Sequence, residues 1–400
     1  MSLQSVSAEG EQEGQHCHRY RVIDGRVQGV RVGTLAIECS EWVRIKLGHI
    51  SLYRVAAFHR GIHLSLVATR SLLAQSGGMK LLSYLVFIPL QIVMIPFAIL
   101  GTILTAYRQI LVSKRLGVSQ TAIEIINGRW TMHIFGLRRD DETAALTGVL
   151  PNTSTLGLWL VLFPLWVQSK IAGECALYPR VPKPGDETIA DLVPARTQYF
   201  DAVLSRRLAD AEQFVLLGAG YDTRSMGVLS SGVDTVFEVD QAIVQRHKRA
   251  QLAAAKVDAS QVTFVEVDFN ADDLFEALLN AGFNPSLKTV YLWEGVTLYL
   301  SSEQVSATLA LIKENSAPGS SVVADFYGER LIKTLGKSKA TEGILEMTGE
   351  TLHFGLPFAA DWEAVLSDYV AKQSINLASA HFLGENNAAG PYAVVAELTL

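Results

Sequence analysis

The second half of the chain predicts an α/β fold built on a doubly wound, mostly parallel sheet. Three observations carry this. Five short β-branched runs, Gln213–Leu217, Asp234–Val239, Gln261–Val267, Lys288–Trp293 and Ser320–Asp325, alternate with helical stretches such as Gln241–Lys256 and Ser302–Ser316, and strands alternating with helices imply parallel pairing. The first run ends in a glycine-rich turn. Two further strand-like runs, Ser374–Ser379 and Tyr392–Leu400, flank the turn-rich Gly384-Glu-Asn-Asn-Ala-Ala-Gly-Pro391, which predicts a hairpin, hence seven strands with one antiparallel strand at the edge.

The first half reads differently. Residues 1–78 show weak periodicity and form an N-terminal extension; Met79-Lys80 stands immediately before a long apolar run, where a short membrane protein could begin, so Met79 is a candidate native start. From Leu81 to Tyr107 no residue is charged. At about 1.5 Å per residue this run exceeds a hydrocarbon core of roughly 30 Å. A second uncharged stretch, Ala144 to Ser169, has its apolar centre at Leu156–Val167, where Trp159 and Trp166 suit a headgroup boundary. Pro89, Pro96 and Pro164 interrupt these runs, and a proline inside a helix removes a backbone hydrogen bond. The expected arrangement is one kinked span or re-entrant hairpin at 81–107, followed by an interfacial segment near 155–168. The competing reading is a pair of buried helices in a soluble dimer. Arg108, Lys114, Arg115, Arg129, Arg138 and Arg139 lie between the two runs and place that segment in the cytoplasm. The Pro- and charge-rich 174–194 reads as a linker. The expected division is therefore 1–78 extension, 79–173 helical membrane-associated region, 174–194 linker and 195–400 α/β domain.

Lys and Arg number 34 against 40 Asp and Glu, a net charge of −6. Without a basic surplus to neutralise phosphates, nucleic acid is disfavoured and a small-molecule substrate is expected. Cys17, Cys39 and Cys175 are far apart and odd in number, which argues against a disulfide framework and for a reducing compartment. The trio His16-Cys17-His18 has no second ligand pair at zinc spacing, so no metal site is expected.

The chemistry is concentrated in Val215-Leu-Leu-Gly-Ala-Gly-Tyr-Asp-Thr-Arg224. An apolar strand runs into Gly218, Ala219 and Gly220, a turn that lets a ligand approach bare backbone at the carboxyl end of a strand. A dinucleotide fingerprint wants a third glycine three positions after the second; Thr223 stands there, and Asp222 would repel phosphates. A nucleoside-like ligand without phosphates fits better. About twenty residues on, Phe237-Glu-Val-Asp240 ends the next strand, and either Glu238 or Asp240 could accept the hydroxyls of a ribose.

Taken together, Ala195-Arg-Thr-Gln-Tyr-Phe-Asp201, the glycine turn, Phe-Glu-Val-Asp-Gln241 with Lys248, Val267-Asp-Phe269 and Glu294-Gly-Val-Thr-Leu-Tyr-Leu300 resemble the leucine carboxyl methyltransferase family and its bacterial small-molecule O-methyltransferase relatives. The resemblance covers 195–326 and does not reach the first 170 residues. It implies a Rossmann-like class I methyltransferase sheet with S-adenosylmethionine as cofactor. It places Arg196 on the methionyl carboxylate, Gly218, Ala219 and Gly220 beneath the cofactor, and Asp240 and Gln241 at the ribose. Asp268 and Phe269 fall at the adenine, and Glu294 with Gly295 at the methionyl ammonium.

For a hydroxyl acceptor, Tyr299 and His353 are the candidate general bases; a carboxylate acceptor needs none. The segment from Tyr327 to Gly355 is expected to lid the acceptor site. The reading is an O-methyltransferase acting on a small, lipid-like or polyketide-like acceptor, membrane-associated, with its catalytic domain facing the cytoplasm, where its cofactor is found. A homo-oligomer is compatible with the sequence. The alternatives are a nicotinamide-dependent reductase on the same sheet, and a non-catalytic, cofactor-binding membrane scaffold.

Overall fold

The computed structural model describes residues 78–269, 272–337, 352–385 and 387–400. Residues 1–77 of the extension, with the His16-Cys17-His18 trio, and residues 338–351 of the expected lid lie outside the described residues. All described residues belong to one unit, Gly48–Leu400.

Seven strands, β1 (Gln213–Leu217), β2 (Thr235–Asp240), β3 (Val262–Glu266), β4 (Thr289–Trp293), β5 (Ser321–Tyr327), β6 (Asn376–Leu383) and β7 (Ala393–Thr399), form one sheet in the order β3-β2-β1-β4-β5-β7-β6. The first five pair in parallel, and β7 runs antiparallel to both β5 and β6. The antiparallel strand is thus one place in from the edge expected for it. The closing hairpin folds its second strand onto β5, which leaves the more exposed β6 outside. Every residue of β1, β4 and β5 is buried, the pattern of strands covered on both faces.

Alternation along these strands feeds two cores. Phe214, Leu216, Val290 and Leu292 point to one face with helix α5 (Leu192–Arg207); Val215, Leu217, Tyr291 and Trp293 point to the other with α7 (Leu274–Asn280) and α8 (Ser302–Glu314). A reciprocal capping box between Ser301 and Gln304 starts α8, satisfying two orphan backbone donors. Chain order reverses between β1 and β4, so their carboxyl ends open the crevice where such sheets bind ligands.

Before the sheet come α1 (Gly78–Leu116), α2 (Gln120–Phe135), α3 (Asp141–Val149) and α4 (Thr155–Ala172). Helix α1 passes straight through Pro89 and Pro96, both on its exposed side, and contains a π turn at Tyr107–Val112. There is no re-entrant hairpin within 81–107. The apolar partner of α1 is α4, which lies antiparallel along it. Lys80 pairs with Glu174 at 2.7 Å, Gln168 donates to Ser83 at 3.3 Å, and Arg108 donates to the carbonyl of Thr153 at 2.9 Å. The helices cross at Gly101 and Gly157, where a Cβ on Gly101 would stand 2.5 Å from the carbonyl oxygen of Gly157. Such backbone approach is typical of helix pairs packed by small residues.

Packing runs across the expected domain boundary. Ile123 and Ile126 of α2 and Leu146 and Leu150 at α3 are buried in the same core as β1 and β4. Among the described residues, α1 and α4 carry a largely apolar exposed surface, whereas α2 and α3 are part of the α/β body.

Replacing Gly157 by Leu should separate α1 from α4, because its side chain would enter space held by Thr105 Oγ1 at 2.5 Å and the Gly101 carbonyl at 2.8 Å. A cost of about 1–3 kcal/mol is expected from overpacking, read as a lowered thermal midpoint of the detergent-solubilised protein. Gly136→Ala, at a position with no atoms within 4 Å but a φ of +81°, should cost less.

Candidate active site

At the end of β1 the backbone turns through Gly218 (φ +66°) and Gly220 (φ +48°), conformations that favour glycine. A Cβ on Gly218 would meet Val296 Cγ2 at 2.4 Å, and one on Gly220 would touch Ala122 of α2 at 3.6 Å. The amides of Gly218 and Ala219 donate to the Val239 carbonyl at 2.8 and 3.1 Å, fastening the turn to the neighbouring strand. Helix α2 therefore lies directly over the glycine turn.

The two acids of β2 divide cleanly. Glu238 is fully buried; it accepts from Lys248 Nζ at 2.7 Å and from the Ser225 hydroxyl. Burial pushes its carboxyl up despite the lysine. Both of its oxygens are taken up, one by Ser225 and the other by Lys248, which disfavours a ribose role. Asp240, at the strand end, accepts from the amides of Gly220 and Gln241, both at 2.7 Å. Burial raises it too, only partly offset by those two amides. Beside it, the carboxyl ends of β2 and β3 flank a cleft of about 410 Å³ lined by Gln241, Ala242, Ile243, Glu266, Val267, Asp268 and Asp272. Phe269 packs half-buried against the adjoining core.

At the end of β4, Glu294 is enclosed by three arginines from three elements. Arg129 of α2 donates to its Oε2 at 2.8 Å, Arg224 after the glycine turn donates to the same oxygen at 2.5 Å, and Arg196 of α5 stands 3.2 Å from Oε1. Burial alone would raise Glu294, but the three guanidiniums hold it at about 2. Asp222 shares Arg129 at 2.9 Å and Arg224 at 2.7 Å, and those cations likewise hold it well below the usual carboxylate range. Arg196 also bonds Asp325 at 3.0 Å and the Tyr327 hydroxyl. Asp325 in turn accepts from the Gly295 amide at 2.9 Å. Three buried atoms of this cage, Glu294 Oε1, Arg196 Nε and Arg129 Nε, make no hydrogen bond among the described residues.

Tyr299 reaches the rim, its hydroxyl donating to Thr121 Oγ1 of α2 at 2.9 Å. His353 is exposed, and its amide bonds the Leu298 carbonyl at 2.8 Å, placing it behind the same turn. Arg129, Arg224, Asp222, Asp325 and Tyr327 were not among the expected site residues. Arg129 had a signal: it is a lone charge in the apolar surroundings of Ile125-Ile126-Asn127-Gly128-Arg129-Trp130, where a cation needs a buried partner. Counting it as a cytoplasmic loop charge hid this. The glycine turn is also tied to α3, since Thr143 and Thr223 share a hydrogen bond of 2.8 Å and Thr223 donates to Asp140 at 3.1 Å.

Residues 172–313 match the leucine carboxyl methyltransferase family. A Mycobacteroides abscessus protein named as an S-adenosyl-L-methionine-dependent methyltransferase is 35% identical over 188 residues, 44% of this chain and 60% of that protein. A Saccharopolyspora erythraea protein of the same designation is 36% identical over 160 residues, 38% and 55% of the two chains. The chain thus spans less than two thirds of the length of these relatives. Among solved structures, the methyltransferase domain of bacterial CtHen1-C aligns with 51% of this chain and 96% of its own at 14% identity, with a TM-score of 0.36.

Two outcomes follow from the cage and the buried pair. Glu294, held at about 2 against about 4.3 in an unfolded chain, contributes stability that is complete above the unfolded value and lost as pH falls through the folded one. Urea unfolding should therefore show stability declining from about pH 4.3 to 2, and Glu294→Gln should flatten that slope. Lys248→Met leaves Glu238 buried without its cation and should cost about 3–5 kcal/mol, whereas Lys248→Met with Glu238→Leu should recover most of it, measured by the same unfolding experiment.

Proposed function

We propose that this chain transfers a methyl group from S-adenosyl-L-methionine to an oxygen of a small, lipid-like or polyketide-like acceptor at a membrane surface, with the catalytic body on the cytoplasmic side. The observation that carries the reading is the cage around Glu294. Among the described residues it leaves the ionised Glu294 Oε1 without a hydrogen bond and the Nε atoms of Arg196 and Arg129 without an acceptor, with a terminal nitrogen of Arg196 3.2 Å from that oxygen at the end of β4. These suit the ammonium and carboxylate of a methionyl group.

The rest of the crevice is compatible with the same cofactor. Gly218 and Gly220 give the turn its left-handed conformations, Asp240 at the strand end would accept from ribose hydroxyls, and the cleft at Gln241 and Asp268 would suit adenine. The cofactor supplies a methyl on a sulfonium, which reacts by direct displacement, so the protein's main task is alignment and exclusion of water. Arg196 and Glu294 would fix the methionyl end. Helix α2, with Ala122 over Gly220 and Arg129 in the cage, closes that end from above. A carboxylate acceptor would need no proton removed; a hydroxyl acceptor would place Tyr299, already bonded to Thr121, next to the reaction.

A nicotinamide dinucleotide is disfavoured by two features. Asp222 is kept ionised beside the turn, and Thr223, in place of the third glycine, is held by Thr143 and Asp140. Calorimetric titration should therefore detect binding of S-adenosylmethionine and S-adenosylhomocysteine but not NADH, and Arg196→Ala should weaken the first two by at least tenfold. Binding of NADH alone would overturn the reading. Transfer of labelled methyl into a lipid extract would then identify the acceptor.

A further inference from the structure

We infer that α1 and α4 enter a lipid bilayer from one side only, lying in the plane of a single leaflet, and that neither helix crosses it. This rests on the membrane association just proposed and adds its geometry.

Both ends of α4 return to the body of the fold. Leu150, five positions before the helix starts, is buried in the core of the sheet. Beyond its last residue, Ala172, the chain returns at once. Cys175 and Tyr178 pack on the cluster containing Trp130 and Phe135 of α2, and Arg180 grips Asp191 beside α5 with two bonds of 2.8 and 2.7 Å. Eight extended residues reach at most about 29 Å, short of the roughly 40 Å that separates the two headgroup layers. Crossing would also draw Glu174 and Arg180 through hydrocarbon. The middle of α4 is tied as well, with Leu158 and Leu162 in the α2 cluster and Trp159 edge-on to Trp130 at 5.8 Å. Helix α4 lies flat against the catalytic body, both ends on the same side.

Helix α1 follows α4 along its whole length, from the pair of Lys80 and Glu174 to the bond from Arg108 to Thr153, so it lies at the same level. Its outer face exposes Leu85, Ile92, Val93, Phe97, Leu100 and Ile103, and nothing between Leu81 and Tyr107 is charged. Cations stand at both ends: Lys170 at one, beside the Lys80–Glu174 pair, and Arg108, Lys114 and Arg115 at the other. Anionic lipid headgroups match that distribution. A second copy does not, because pairing two such faces in either direction brings cation to cation.

The test adds the full chain, with Cys17, Cys39 and Cys175 changed to Ser, to preformed sealed vesicles of phosphatidylcholine and phosphatidylglycerol. Single cysteines are introduced as Gly78→Cys and Ala176→Cys at one end of the pair and Arg115→Cys at the other. After flotation, a membrane-impermeant maleimide should label all three within twofold of one another, with no gain on adding detergent. Trypsin applied to unmodified floated protein should likewise reach Lys80 and Lys170, a reading independent of how the cysteine variants fold. Labelling of Gly78→Cys or Ala176→Cys that rises tenfold with detergent would overturn the in-plane geometry while leaving membrane association standing. Failure to float would remove both, and dimers in detergent-free buffer would assign the apolar face to a second copy.

Discussion

The ion cage around Glu294 is the constraint on which the architecture turns. A carboxylate at the buried end of β4 is tolerable only when cations meet it, and those cations come from α2, α5 and the loop after β1. Three segments that are distant in sequence must converge for any one of them to be stable. The cage also shapes the surrounding fold. It sets the height of the glycine turn relative to β4, seats α2 over that turn, and continues into Asp201, which receives Arg224 at 2.6 Å and Arg138 at 2.5 Å. Breaking one member leaves the others as uncompensated buried charge, so the network is cooperative by construction.

Electrostatics divides the crevice into two ends with different characters. At the end beside Glu294, charges are dense, paired and enclosed. At the end beside β2 and β3, Asp240 is held by two backbone amides and the adjoining cleft opens to solvent. Glu238, only two residues earlier on the same face of the strand, has been withdrawn from this division by Lys248 and Ser225, and its pair braces the floor beneath the turn from Gly220 to Arg224 through the bond of Lys248 to the Asp222 carbonyl at 2.6 Å.

The sheet was legible because its signals are local: β-branched runs, glycine turns and helical spacing repeat at regular intervals, and six strands fall where those signals lie, while β6, expected at Ser374–Ser379, runs on to Leu383. Residues at strand ends, Asp240 and Glu294 among them, were legible for the same reason, since a charge closing an apolar strand marks the crevice. Choosing between Glu238 and Asp240 was not, because alternation puts both on one face and only a distant partner, Lys248, separates them. Arg129 was missed because its meaning depends on contacts 165 residues away in sequence with Glu294. The apolar segments were recognised by length and composition, yet their pairing depends on two glycines, Gly101 and Gly157, whose proximity no periodicity reveals. The position of β7 inside β6 likewise follows from which strand of a hairpin meets β5, a choice that the turn sequence alone leaves open.

On the in-plane geometry proposed above, the short connections at either end of α4 would bear on how the chain reaches a lipid surface. A segment returned to the α/β body within a few residues would send no polar loop to the far side, so the cost of moving Arg180, Lys183 or Glu187 through hydrocarbon would not arise. The helix pair would then partition onto the surface after folding, with occupancy set by mass action and lipid charge rather than fixed at synthesis.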